Sequence, residues 1–238
     1  MFRPVFFHWM RFYRWLRFRR GFGVHSPYAF SLINDVIGEK YFYYAYQDVY
    51  SHVNRLCAYC FRGDSRRREY HRFLFRLSNF KKPSQILSIG SDGGVDLLFL
   101  MAPDKRIRGT LVDYVPKNMD TAFRLCEENR NFTLVESHFD LFVVNLEELL
   151  KSKTDFQLIV IHRSLSPFLK QKAVELCLLY QNEDCLIVVD GIYSSSADTQ
   201  NWKSFQINPK VTVSFDLISC GLFSINNKLK KKNYKYYM

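Results

Sequence analysis

Five short apolar runs constrain this chain most: residues 85–89, 107–112, 131–136, 156–161 and 184–189. Amphipathic stretches at about 94–102, 117–129, 141–150 and 166–180 separate them. Short, wholly apolar runs interleaved with helical segments read as parallel strands, buried on both faces and joined by crossover helices. A helix at about 196–205 follows, then KVTVSFDLISCGLFSINN, read as strands 210–216 and 220–226 turning through Ile218-Ser219. So short a connection makes that last pair antiparallel. The expectation is one doubly wound α/β sheet over residues 83–227, an N-terminal helical cap over 1–82, and a frayed basic tail over 228–238.

The first third has a different texture. Residues 1–20, MFRPVFFHWMRFYRWLRFRR, contain six arginines and no acid, and the first acid in the chain is Asp35. On a helical wheel Phe2, Val5, Phe6, Trp9, Phe12, Tyr13 and Leu16 share one arc. Arg3, Arg11 and Arg14 fall opposite, with Phe7, Trp15 and Phe18 among them. The arginines interrupt every stretch that could serve as a signal peptide, and no uncharged run is long enough to span a bilayer. In GFGVHSPYAF, Gly21 and Gly23 end this arm, Ser26 reads as a helix N-cap and Pro27 as the first helical residue. Helices follow at about 28–38, 49–60 and 66–80, the last carrying Arg66, Arg67, Arg68 and Arg72.

A net charge of +11 points to an anionic partner. Arginines mixed with aromatic residues make the arm a contact element. The expected contact is protein, either its own domain or a second copy of this chain, then an anionic membrane surface, with nucleic acid behind both. Cys126, Cys177, Cys185 and Cys220 sit in apolar runs as small hydrophobes, and Cys57 and Cys60 form a lone CxxC with no second pair at zinc spacing. That usage suits a reducing, cytoplasmic setting.

A doubly wound sheet binds its ligand beyond the strand C-termini, where the strand order reverses. QILSIGSDGGVDLLFLM places Gly90-Ser91-Asp92-Gly93-Gly94 there, and glycine admits a ligand close to the backbone. The same glycines serve a tight turn equally well. IRGTLVD then ends at Asp113, where a carboxylate can accept both hydroxyls of a ribose. GxGxxG is absent, so an adenosyl ligand without phosphates fits better than a dinucleotide. Asp92 and Asp96 read as acids favouring a helix start. His162 and Asp190, at the ends of the fourth and fifth strands, are the candidate general bases, with Tyr193 on the same edge.

From Gln85 onward, the element order, glycine loop, acid after strand two and closing hairpin resemble the class I S-adenosylmethionine-dependent methyltransferases. GFGVHSPYAF and VTVSFDLISCGLFS are further similar to a bacterial branch with a basic first helix and a G-x-H-S-P-F/Y segment. The resemblance implies a Rossmann-like, seven-stranded sheet, S-adenosyl-L-methionine as cofactor, and methyl transfer to an unidentified O, N or C acceptor. It implies that Gly90, Ser91 and Gly94 line the methionine and ribose side, and that Asp113 holds the ribose hydroxyls. Tyr114 would lie beside the adenosine, and Ser137 to Phe139, including His138, would border the adenine. His25 and Tyr28 become lid or substrate residues. Ser88 stands where the family commonly has an acid, and His162, Arg163 and Gly191 stand where metal-dependent relatives carry Mg²⁺ ligands. Only Asp190 remains of that set, so no metal is expected. The alternative is a protein that kept the fold, lost turnover, and uses its basic arm on an anionic partner.

Overall fold

The computed structural model describes residues 9, 12–14, 26–56, 65–91, 93–126 and 132–236, with the backbone alone for Glu136 and Phe139. Ser26 caps α1 (Pro27–Leu32), its Oγ accepting the Ala29 amide, and Pro27 takes the first helical position. A wide turn over Ile33–Ile37 closes where the Gly38 amide meets the Ile33 carbonyl at 2.7 Å. Helices α2 (Tyr44–Leu56) and α3 (Ser65–Lys81) complete the described cap.

Strand and helix then alternate as the pattern requires: β1 (Gln85–Ile89), α4 (Val95–Met101), β2 (Arg108–Asp113), α5 (Pro116–Cys126), β3 (Phe132–Glu136) and α6 (Phe142–Ser152). They continue with β4 (Leu158–Ile161), α7 (Pro167–Tyr180), β5 (Leu186–Asp190), α8 (Ser196–Ile207), β6 (Val213–Asp216), β7 (Cys220–Ser224) and β8 (Lys232–Lys235). The sheet has eight strands in the order β3-β2-β1-β4-β5-β7-β6-β8. β1 to β5 pair in parallel, and β7 runs antiparallel between β5 and β6. The strand order therefore reverses between β1 and β4.

The eighth strand corrects the expectation of seven strands and a frayed tail. Lys232–Lys235 pairs in parallel with β6, and Tyr234 stacks on Phe215 with ring centroids 5.1 Å apart. Without it β6 would be an open edge; a short, lysine-bearing strand covers β6 and discourages further pairing.

The strand residues alternate between two cores, as a period of two demands. Ile86, Leu158, Val160, Val188 and Leu222 face the cap, against Leu32, Val36, Phe73, Leu74 and Leu77. Leu87, Ile159, Ile161, Ile187 and Val189 face α6, α7 and α8, against Leu146, Leu150, Val174 and Trp202. Covering on both faces is why these strands read as continuous apolar runs. Cys126, Cys177, Cys185 and Cys220 are buried free thiols, and burial pushes Cys126 up to about 12. Cys57 and Cys60 lie outside the described residues.

Of the arm, Trp9 and residues 12–14 are described, and it is an arginine among them that reaches the sheet. Trp9, Phe12 and Tyr13 are 65%, 60% and 43% exposed, while Arg14 is buried. Its guanidinium forks onto Asp216 at the end of β6, with Nη1 to Oδ1 at 2.7 Å and Nη2 to Oδ2 at 3.0 Å. Nη1 also donates to the carbonyls of Asp216 and Tyr236. No described helix is long and apolar enough to cross a membrane.

Candidate functional site

Gly90, Asp113, His162 and Asp190 end or follow β1, β2, β4 and β5, so the parallel pairing brings all four to one edge of the sheet. Asp113 is the best-organised of them. It is 1% exposed, and its Oδ1 accepts the amides of Tyr114 at 2.7 Å and Val115 at 3.0 Å. Its Oδ2 accepts the Ser91 hydroxyl at 2.7 Å and the Asn118 amide at 3.3 Å. Four donors match the roughly four lone-pair sites of a carboxylate. The Asp113 carboxylate thus joins the glycine loop to the start of α5.

The glycines serve the tight turn. Gly90, Gly93 and Gly94 have φ of 70°, 88° and 82°, the left-handed region that favours glycine. A Cβ on Gly90 would lie 2.8 Å from Leu165, and one on Gly94 would lie 2.9 Å from Ala122. The side that glycine leaves open is filled by protein at both positions. At these two positions the missing Cβ makes the turn and admits Leu165 and α5. Ser88 turns its hydroxyl to the Gly90 carbonyl at 3.4 Å. Tyr114 sets its ring edge-on to Phe142 at 5.1 Å. Ser137 is buried and His138 exposed just beyond β3, while only the backbone of Phe139 is described.

On the other side of the switch point stands a junction that sequence reasoning missed. Arg67, in the first turn of α3, donates from Nη1 to Asp190 Oδ2 at 2.6 Å. Its Nη2 donates to both oxygens of Asp96 at 2.9 and 3.1 Å and meets His162 Nε2 at 2.6 Å. The Tyr70 ring carries the guanidinium at 4.6 Å. A guanidinium only donates, so His162 Nε2 presents its lone pair to Arg67. Its Nδ1 lies 2.8 Å from Ser164 Oγ and accepts the Ser164 amide at 3.1 Å. Asp190 also takes Arg163 Nε at 3.4 Å. Burial works to raise the Asp96 carboxyl, but the Arg67 guanidinium, with His71 and His162 facing it, holds it well below the usual carboxylate range. The signal was available in VDLLFLM: an acid in an otherwise apolar helix has to find a cation indoors.

Three other expected residues remain, Tyr193, Tyr28 and His25. Tyr193 reaches the correct edge, but its hydroxyl donates to Asp216 Oδ2 at 2.5 Å beside Arg14, and burial next to that acid raises its pKa. It anchors the arm. Tyr28 packs into the cap-side core with its hydroxyl by Ser224, which pairs with Leu186 at the start of β5. That is the opposite edge of the sheet, so the lid assignment for Tyr28 is corrected. His25 lies outside the described residues. Among the described residues no group of three or more His, Cys, Asp or Glu could hold a metal ion.

No protein-family profile and no curated protein matches the chain. Solved structures do. The SAH-bound Podospora anserina methyltransferase PaMTH1 superposes with a TM-score of 0.59 at 14% identity, covering 84% of this chain and 96% of its own. A Bacillus cereus O-methyltransferase in complex with SAH gives 0.57 at 14%, covering 82% and 96%. TomG, a Streptomyces achromogenes O-methyltransferase in complex with SAM, gives 0.57 at 14%, covering 79% and 92%. The fold is that of the class I methyltransferases. At these identities the likeness speaks for the fold, and the residues must speak for the chemistry.

On this methyltransferase fold the two ends of the edge differ in how they suit an adenosyl cofactor. Asp113 Oδ2 already holds a hydroxyl and an amide donor, which is the hydrogen bonding a vicinal diol asks for. At the other end, Asp96 and Asp190 suit a cationic group, and the cation between them is Arg67.

Proposed function

We propose that the chain binds S-adenosylmethionine along this edge and transfers its methyl group to an acceptor. The observation that carries the reading is Asp113: a buried carboxylate at the end of β2, held in place through Oδ1 and presenting hydroxyl-type bonds on Oδ2. Ribose hydroxyls would replace Ser91 and Asn118 there, while the Tyr114 and Val115 amides keep the carboxylate oriented. Tyr114, Ser137 and His138 would flank the base. The cofactor supplies an electrophilic methyl group, so what the protein contributes is alignment and exclusion of water. His162 and Asp190 both face Arg67, and the proton on an acceptor leaves most readily when the acceptor is already acidic. The outward aromatic face of the arm is kept for a second copy of the chain, with an anionic membrane as the other candidate.

Calorimetry with S-adenosylmethionine and S-adenosylhomocysteine tests the core of this reading. Asp113→Asn should weaken both ligands by about 10- to 100-fold, since bonds to a charged acceptor contribute about 1.5–3 kcal/mol. Equal affinity in wild type and variant would remove Asp113 from the ribose site. A second reading, a methyltransferase fold without turnover, is favoured by the protein groups already filling the Gly90 side and the Asp96–Asp190 gap. It keeps cofactor binding but yields no methylated product from any acceptor.

A further inference from the structure

The Arg67 junction deepens the cofactor reading and rests on it. We propose that Arg67 sets the charge selectivity of the cofactor edge, favouring the neutral thioether form of the nucleoside over its cationic sulfonium form. A sulfonium ligand arriving at the ends of β1 and β4 brings a positive charge to a place where a guanidinium is already seated. Asp96 is faced by Arg67 and His71 of α3 and by His162 beyond β4. Asp190 is faced by Arg67 and by Arg163. Two carboxylates and two guanidiniums balance without any charge from a ligand.

The guanidinium is also well fixed. Its side chain is 14% exposed, its donors end on three residues from a helix, a loop and a strand end, and a tyrosine ring supports its face. It therefore does not relax like a surface lysine when a second cation approaches. Two like charges within about 8 Å, at the effective dielectric of about 20 found near protein surfaces, shift a binding ratio by roughly 10- to 50-fold. Removing Arg67 would reverse the local sign, leaving Asp96 and Asp190 to draw a cation in.

The test is the ratio of the two dissociation constants, S-adenosylmethionine over S-adenosylhomocysteine, by calorimetry on four proteins. Arg67→Met should move the ratio toward the sulfonium form by about 10-fold or more. Arg67→Lys keeps the charge but loses the fork, and should stay within about 3-fold of wild type. Asp96→Asn should move the ratio the other way, because it removes a negative charge while Asp190 still holds the guanidinium. That variant keeps the side-chain shape and decides the matter alone if Arg67→Met does not fold. Ratios that agree within about 3-fold across Arg67→Met and Asp96→Asn would overturn the proposal and leave the cofactor site standing. Failure of every form to bind either nucleoside would overturn the cofactor reading, and this proposal with it.

Discussion

Replacing Arg14 by Met should destabilise the whole sheet, although the residue lies in an N-terminal arm. The Arg14 and Asp216 side chains are 4% and 2% exposed, so the pair is buried. Without the guanidinium, Asp216 keeps the Tyr193 hydroxyl and the Ile218 amide but loses the counter-charge that faces it, and two carbonyls lose a donor. Breaking one side of a buried ion pair costs about 3–5 kcal/mol, because the remaining charge is stranded away from water. For a chain of this length that amounts to a fall in Tm of roughly 10 °C or more. Urea unfolding of Arg14→Met, Asp216→Asn and the double variant measures it as a cycle. The double variant should lose much less than the sum of the singles, since it leaves no unpaired charge. A loss below about 1 kcal/mol for Arg14→Met, or strict additivity, would refute the claim that the arm is docked on its own sheet through this residue.

Gly90→Ala should lower stability by about 1–3 kcal/mol, from a left-handed φ of 70° and a methyl group driven onto Leu165. Thermal melts check it, and Gly90→Ala combined with Leu165→Ala should be less than additive. Asp96→Asn should show a pH-dependent loss of stability. The folded carboxyl is depressed, so its contribution is fully present above the unfolded value of about 3.9 and is lost as pH falls through the lower folded value. The gap between wild type and variant in urea melts should therefore be widest near pH 7 and shrink progressively as pH falls below about 4, and a constant gap would count against the ion pair.

How much of this was legible in the sequence depended on whether the cause was local. β1 to β5 were readable because both faces are covered, which leaves the runs apolar throughout. Asp113 was readable because a strand end, a turn and a helix start all lie within a few residues of it. β8 was not: KNYK carries no apolar alternation, and what recruits it is the open edge of β6. Arg67 was not either, because its partners Asp96, His162 and Asp190 lie 29, 95 and 123 positions along the chain. For the arm, the wheel could not say that Arg14 would be the residue that meets the sheet. An arginine is bound indoors only if a carboxylate waits there, and Asp216 is 202 positions away.

Arg14 and Arg67 follow one logic. Both come from the N-terminal third, and both close on a carboxylate that ends a strand, Asp216 of β6 and Asp190 of β5. Those acids are near neighbours across β7, where Gly221 pairs with Asp216 and Cys220 with Asp190. Two described contacts between the N-terminal third and the C-terminal edge of the sheet are thus buried ion pairs, which are costly to open on one side alone. Apolar contacts hold α1 and α3 to the sheet face, whereas charge fixes Arg14 of the arm and Arg67 of α3 at the edge where a ligand would enter. A ligand that needs room near Asp190 would therefore have to displace Arg67.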